Sequence, residues 1–228
     1  MPPTNRPFPR FIASASQEGR VHGRWEERLR EAFGRACEPL AGEAGSRLDP
    51  ETIRWFPDRT WGGRAYIPIT GRATEATTDT EGAEVVVEYY GWVSFEQADT
   101  DSEPGELRAK ADFTDVTADD NPGWRIDLND DVIGRWSTDG GRGGDVTIVW
   151  GLPMVRGAVA ATAELAGETL DQAPVVDGRF SLVAVDAVTG FGDDLYLEVK
   201  LWNRGVREVA SESLYAETAV DDEEDETD

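Results

Sequence analysis

The sequence has one cysteine, one histidine and two lysines, and each scarcity excludes a class of protein. Cys37 has no partner for an intramolecular disulfide and cannot build a thiolate metal cluster by itself. Every histidine-dependent triad or metal site would have to use His22, which stands beside Gly23 at the edge of a predicted helix, a poor place for a preorganised base. We therefore predict no catalytic residues, no metal and no cofactor.

Long apolar runs and phosphate-binding loops are also lacking. No stretch approaches the roughly 20 apolar residues of a membrane span, and the start MPPTNRPFPRF has no apolar segment of the kind that secretory signals carry. The glycine-rich run Gly140–Gly144 is not followed by the Lys-Ser/Thr of a phosphate loop. We expect a cytoplasmic protein without membrane contact.

Acidic residues are abundant. The chain holds 46 Asp and Glu against 22 Lys and Arg, a net charge of −24. In ordinary salt such a charge opposes compaction by self-repulsion, whereas at molar salt the screening length falls to roughly 3 Å. Because Lys110 and Lys200 are the only lysines, the composition is typical of a salt-accumulating archaeon, and we predict a halophilic archaeal or viral protein.

The charge is distributed unevenly along the chain. Residues 1–74 hold 12 Arg against 9 acidic residues, whereas residues 75–228 hold 10 basic against 37 acidic residues. An adaptation of the whole composition to salt would acidify every segment. Because residues 1–74 are not acidified, we predict that this segment has a function of its own or binds a partner.

The chain divides into four segments by pattern. Residues 1–12, with four prolines, predict an extended arm, and residues 217–228, with eight acidic residues, predict a disordered tail. Residues 13–48 contain one amphipathic helix, at roughly 22–38, because apolar residues recur every three or four positions, as at Leu29 and Phe33. Residues 49–216 predict a β domain.

Within the β domain we predict ten short strands between Ile53 and Tyr215. The apolar residues recur with period two, as in Leu195–Trp202, and glycine and aspartate clusters mark the turns. The predicted fold is mainly β: an antiparallel β-sandwich, immunoglobulin-like or an open barrel, preceded by one amphipathic N-terminal α-helix. Thr117–Gly123 is the best internal break, so the domain forms either one unit or two, 49–120 and 121–216. The strand–Asn203–Gly205–strand ending resembles the closing hairpin of many immunoglobulin-like modules.

The segment Ile53–Thr74 is the sharpest local feature, because arginines alternate there with large aromatic residues. Such a combination is found in protein–protein hot spots and in surfaces that stack nucleic-acid bases. Alternatively the aromatic residues are core and the arginines pair with acidic residues elsewhere in the fold. With the helix included, the candidate partner-binding residues are Trp25, Arg28, Arg54, Trp55, Arg59, Trp61, Arg64 and Tyr66.

Two further patterns in the sequence are weaker. Asp127–Asp131 has oxygen ligands at alternate positions but lacks the glycine and the closing glutamate of a calcium loop, and solvated turns explain it better. Trp136, beside the glycine-rich run, is a candidate exposed platform for a sugar, since tryptophan is frequent here at 8 residues; a pair of carboxylates could then hydrolyse a glycosidic bond.

The leading hypothesis is a non-enzymatic binding or assembly module. It would contact a protein partner or a second copy of the chain through the N-terminal helix and the arginine/aromatic segment. One alternative is a carbohydrate-binding or carbohydrate-active β-sandwich. Another is a nucleic-acid accessory protein that uses Arg54, Arg59 and Arg64, although the acidic body repels a polyanion and high salt weakens such binding.

Overall fold

The computed structural model of the chain describes residues 25–78, 84–96, 105–137, 143–185 and 197–214. The predicted arm, His22 and the predicted acidic tail lie outside these residues. The described chain begins with two helices, α1 (Glu26–Cys37) and α2 (Ala41–Ala44). The strands that follow are β1 (Arg54–Trp55), β2 (Arg59–Trp61), β3 (Arg64–Arg72), β4 (Thr77–Thr78), β5 (Glu84–Val85), β6 (Glu88–Glu96), β7 (Arg108–Thr114), β8 (Ile126–Ser137), β9 (Gly143–Pro153), β10 (Ala160–Leu165), β11 (Glu168–Pro174), β12 (Phe180–Val185), β13 (Leu197–Trp202) and β14 (Glu208–Ser213).

The strands form three main sheets, and every pair within them is antiparallel. Sheet I has the order β1-β3-β6-β7, with β2 also paired to β3. Sheet II has the order β12-β9-β8, and sheet III has the order β11-β10-β13-β14. Strands β4 and β5 form a separate two-stranded ribbon. The predicted class, mainly β and antiparallel after one N-terminal helix, is confirmed.

Helix α1 covers the outer face of sheet I. Its residues Leu29, Phe33 and Cys37 are spaced four apart, lie on one side and are buried. They belong to one core cluster with Ile67 of β3 and Tyr89 of β6. Burial raises the pKa of the Cys37 thiol to about 12, so this cysteine acts as a small buried residue.

Sheet II is buried on both faces. Successive side chains of a strand point to opposite faces. Ile148 and Trp150 of β9 accordingly pack toward sheet I, whereas Val149 of β9 and Leu182 of β12 pack toward sheet III. This explains why β9 is an almost continuous apolar run instead of an alternating one. The layers are therefore helix α1, sheet I, sheet II and sheet III.

Sheets II and III form the sandwich core. Leu197, Val199 and Leu201 of β13 are buried in it at 0 to 1% exposure, as their period-two spacing predicts. Sheet I joins this sandwich through a smaller cluster that includes Phe56 and Trp150. The division of the β region at Thr117–Gly123 stays a prediction.

The structure adds strands β2, β4 and β11 to the predicted set and lengthens the strand predicted at Trp124–Leu128. Strand β8 continues through Asn129–Asp131, so these residues pair with β9 and form no calcium loop. Strand β11 was not predicted because its sequence, ETLDQAP, is polar and reads as a loop. It follows a tight turn with positive φ at Ala166 and Gly167. No helix among the described residues is long and apolar enough to cross a membrane.

Candidate functional site

Three of the predicted partner-binding residues are buried. Trp55 and Arg64 are each 9% exposed, and Tyr66 is 6% exposed. The ring of Tyr66 packs edge-on against Trp92, with 5.3 Å between ring centroids. Its hydroxyl donates a hydrogen bond of 3.2 Å to the carbonyl oxygen of Ile133 in sheet II. In this structure the aromatic side chains Trp55 and Tyr66 hold the layers together and present no surface to a partner.

Two of the predicted arginines are satisfied inside the fold. Arg64, 9% exposed, donates from Nη2 to the carbonyl oxygen of Glu106 at 2.8 Å. Arg59 forms an ion pair with Asp171 of β11. The same Asp171 carboxylate also accepts the backbone N–H of Val183 on β12, at 2.8 Å. Arg59 therefore ties β2 to sheets II and III, which is the alternative that the sequence left open.

The other predicted residues lie at different places. The Arg28 guanidinium sits 5.5 Å from the centroid of the Trp25 ring, at the start of α1. Trp61 is half-buried against Gly134 of β8, where an added Cβ would lie 3.3 Å from its indole nitrogen. The structure therefore does not bring the eight predicted residues together on one surface.

It does gather Arg54 with charged residues that the sequence did not single out. We call this group the Glu88 site; it comprises Arg54, Arg72, Glu88, Asp127 and Arg179. The residues come from β1, the end of β3, the start of β6, the start of β8 and the turn before β12. Arg72 and Glu88 are register partners on β3 and β6. We call this end of sheets I and II, where β3, β7 and β9 finish and β6 and β8 begin, the Glu88 end.

The electrostatics of the Glu88 site are unusual. The pKa of the Glu88 carboxyl is raised to about 7, first by burial and then by Asp127, while Arg54 and Arg72 act in the opposite direction. Burial likewise raises the pKa of Asp127. Burial and then the charge of Arg54 lower the pKa of Arg179. Clusters of perturbed ionisable groups are candidates for functional sites.

The arginines of the site differ in their contacts. Arg72 pairs with Asp119 in the loop after β7. Arg179 donates one hydrogen bond of 2.9 Å, from Nη1 to the carbonyl oxygen of Trp55. Arg54 is partly buried, yet within the described part of the chain its guanidinium donates no hydrogen bond and forms no ion pair. The charge of Arg54 therefore acts on Glu88 and Asp127 without a hydrogen bond or an ion pair between them.

A second polar contact lies one step further along the same interface. Asp131 of β8 accepts the indole N–H of Trp92 at 2.6 Å and an N–H of Lys110. The pKa of the nearby Tyr90 hydroxyl is raised by burial and by Asp112, Asp130 and Asp131, in that order. These contacts join sheets I and II.

Exposed apolar side chains also lie at the Glu88 end. Val116 is 53% exposed, Met154 is 47% exposed and Trp124 is 36% exposed. Val116 and Trp124 belong to the loop between β7 and β8, and Met154 directly follows β9. The backbone N–H of Met154 bonds to the carbonyl oxygen of Arg125, beside Trp124. Sequence reasoning passed over Val116 and Met154.

A shallow cavity of about 470 Å³ lies on sheet III, and Glu164 and Glu198 are among its lining residues. These two carboxylates are register partners on β10 and β13. Lys200 bonds to Glu164 at 2.8 Å and to Glu198 at 2.9 Å. Trp136, the predicted sugar platform, is half-buried in β8 and not an exposed plane.

Sequence reasoning missed Glu88 and Arg179 and considered Asp127 only as part of a calcium loop. The available signal was their occurrence in or beside apolar strands, where a charged residue is costly unless it is paired. Among the described residues, no group of three or more His, Cys, Asp or Glu is placed to hold a metal ion. No protein-family model matches the sequence, and no curated protein or solved structure is significantly similar to it.

Proposed function

We propose that the chain is a non-enzymatic binding or assembly module of a salt-accumulating archaeon or of one of its viruses, and that it contacts a protein partner at the Glu88 end. The observation that carries this proposal is the exposure of Val116, Trp124 and Met154 at that end. Tryptophan, methionine and arginine are enriched in the cores of protein interfaces. Arg125 and Arg156, both exposed, adjoin Trp124 and Met154 in the sequence.

Helix α1 is a weaker candidate for the contact. Its apolar side packs on sheet I, and its solvent side carries charged residues such as Glu31 and Arg35, which pair with each other at 3.5 Å. The proposed contact therefore moves from the helix and the arginine/aromatic segment to the Glu88 end. Among the residues predicted for a partner, only Arg54 belongs to this end.

The proposed occupant is a different protein and not a second copy of this chain. Each copy carries a net charge of −24, and two such bodies repel each other. High salt reduces this repulsion, so self-association is the outcome that the experiment must separate from heterologous binding.

The experiment is affinity capture from native lysate at molar KCl with three baits. These are the wild type, the double variant Trp124→Ser/Met154→Ser, and Val132→Ser, which alters an exposed apolar residue in the middle of β8. The proposal expects a stoichiometric protein that the wild type and Val132→Ser retain and the double variant loses. Equal capture by all three baits, or by none, overturns it. Light scattering that shows a dimer of the wild type, lost in the double variant, assigns the surface to a second copy instead.

The carbohydrate alternative has one specific observation in its favour, the cavity lined by Glu164 and Glu198. Lys200 bonds to both carboxylates, so a sugar would have to displace the lysine or bind beside it. Tryptophan fluorescence of the wild type that responds to a panel of oligosaccharides would favour this alternative.

A further inference from the structure

We propose that Arg54 and Arg179 form a binding site for a carboxylate group, and that the charge on Glu88 controls its occupancy. This inference does not depend on the protein partner proposed above, since a free carboxylate suffices to test it. Two features of the molecule support this site: the placement of the two guanidinium groups and the small number of hydrogen bonds that they donate among the described residues.

A hydrogen bond from the Arg179 side chain to strand β1 places Arg179 beside Arg54. Arg54 lies on β1, and Arg179 donates to the carbonyl oxygen of Trp55, the next residue of that strand. Burial and then the charge of Arg54 lower the pKa of Arg179, so the two guanidinium groups are close enough to interact. Two cations kept side by side in a partly buried position repel each other, and an anion placed between them would remove that cost.

The donors of this pair are largely unused. A guanidinium offers five N–H donors in a planar fork that matches a carboxylate. Within the described residues Arg179 donates only to Trp55, and Arg54 donates to no acceptor. In contrast, Arg59 and Arg72 each have a carboxylate partner, Asp171 and Asp119. The fold therefore supplies carboxylate partners for neighbouring arginines, whereas Asp177 acts on Arg179 by its charge alone and forms no ion pair with it among the described residues.

The carboxylates of the site interact with Arg54 through its charge and do not contact it. Glu88 and Asp127 feel the charge of Arg54, yet neither forms an ion pair with an arginine among the described residues. A bound carboxylate would lie closer to the guanidinium groups than Glu88 does and would compete with it for their charge. Ionised Glu88 and Asp127 would repel the ligand, whereas protonated Glu88 would not.

Charge around Glu88 determines the pH dependence. The groups that act on it are Asp127 of β8, Arg54 of β1, Arg72 of β3 and Asp119 of the loop after β7. Of these, Arg72 is neutralised by Asp119. Because the pKa of Glu88 is about 7, binding of a carboxylate should weaken as the pH rises through neutrality.

The experiment is a titration at one fixed KCl concentration, followed by the NMR signals of the arginine side chains. The two probes are succinate and N-acetyl-Ala-Ala with a free C-terminus. Saturable binding of succinate alone indicates a small-molecule ligand, and binding of the peptide indicates a protein terminus; either supports the site. Binding of neither, or equal shifts in all variants, overturns it.

Three variants sharpen the result. Arg54→Lys keeps the charge but loses the planar fork, and it should weaken binding roughly tenfold, since one of the two parallel hydrogen bonds to the carboxylate is lost. Arg108→Gln is the control, because Arg108 is exposed at the opposite end of sheet I and pairs with Glu106. Glu88→Gln should tighten binding above pH 7 and abolish the pH dependence. Tighter binding in Glu88→Gln cannot result from misfolding. Unchanged affinity in this variant would refute the proposal that the charge on Glu88 controls occupancy of the site.

Discussion

The indole N–H of Trp92 donates a hydrogen bond of 2.6 Å to the carboxylate of Asp131, and so the middle of β6 in sheet I is joined to the middle of β8 in sheet II. Lys110 of β7 binds the other oxygen of the same carboxylate. Asp131 is therefore the shared acceptor of two donors from two strands of sheet I. Asp131 is also mostly buried, with 15% of its side chain exposed, so water is a poor substitute for its carboxylate as the acceptor of these hydrogen bonds.

We expect Asp131→Ala to lower the free energy of unfolding by roughly 2 to 4 kcal/mol, because two charge-assisted hydrogen bonds are lost and the indole N–H is left without its acceptor. Urea unfolding at fixed KCl, followed by tryptophan fluorescence, measures the change. Glu106→Gln is the control, since its ion pair with Arg108 is exposed and such pairs contribute about 0 to 1 kcal/mol. Equal losses in both variants would contradict this role of Asp131.

The raised pKa of Glu88 predicts that the fold loses stability as the pH rises. Its pKa of about 7 lies above the ordinary value of 4.5, so the folded state binds the proton more tightly than the unfolded state does. The resulting stabilisation is complete below pH 4.5 and is lost as the pH rises through 7. At 1.36 kcal/mol per pKa unit the upper limit is roughly 3 kcal/mol, and salt reduces it.

Urea unfolding between pH 4.5 and 8 tests this expectation. Glu88→Gln should flatten the profile and stabilise the fold above pH 7, because the buried charge never forms. Glu96→Gln, at the exposed opposite end of the same strand, should keep the wild-type slope. If the slope of the wild type persists in Glu88→Gln, another group causes it, and Asp127 is the next to change.

Two glycines should respond to alanine in opposite ways. Gly91 of β6 has φ 155°, and an added Cβ would lie 2.1 Å from the carbonyl oxygen of Lys110 on the paired strand. Gly91→Ala should therefore cost roughly 3 kcal/mol or more, because the β6–β7 ladder must open. Gly34 of α1 has no atom within 4 Å of an added Cβ, and Gly34→Ala should stabilise by about 1 kcal/mol. Thermal unfolding measures the stability of both variants. A loss of stability in Gly34→Ala would contradict this prediction, since it would mean that an added methyl group at Gly34 meets other atoms.

Salt should stabilise this chain strongly. Its net charge of −24 repels itself over a Debye length of about 10 Å at 0.1 M salt and about 3 Å at 1 M. The melting temperature should therefore rise steadily between these two KCl concentrations. A sucrose series at low ionic strength separates charge screening from general exclusion of the cosolute. A melting temperature that does not change with the KCl concentration would contradict the proposed halophilic origin.

Local spacing in the sequence was enough to predict most of the elements. The four-residue spacing of Leu29 and Phe33 predicted the buried face of α1, and the alternation from Leu197 to Leu201 predicted the inward face of β13. Both signals depend only on the period of a helix or a strand. Strand β11 escaped prediction because its pairing with β10, and not its composition, makes it a strand.

The candidate sites depended on information that is not local. The sequence presented the arginines of residues 53–74 as one surface, but Arg64 points into sheet I and Arg59 meets Asp171, 112 positions away. Whether a side chain is buried depends on what the next layer contributes, and spacing along one strand does not encode that.

The sequence alone determined the acidity of the chain, its antiparallel β class and its N-terminal helix, because composition and short-range period carry those properties. Only the tertiary structure decided that Arg54, Glu88, Asp127 and Arg179 meet at one end of two sheets. They come from four separate strands or turns, and the pairing of β1 with β3, β3 with β6 and β8 with β9 brings them together. The same packing determines how far each charge is removed from water, and with it the pKa of Glu88.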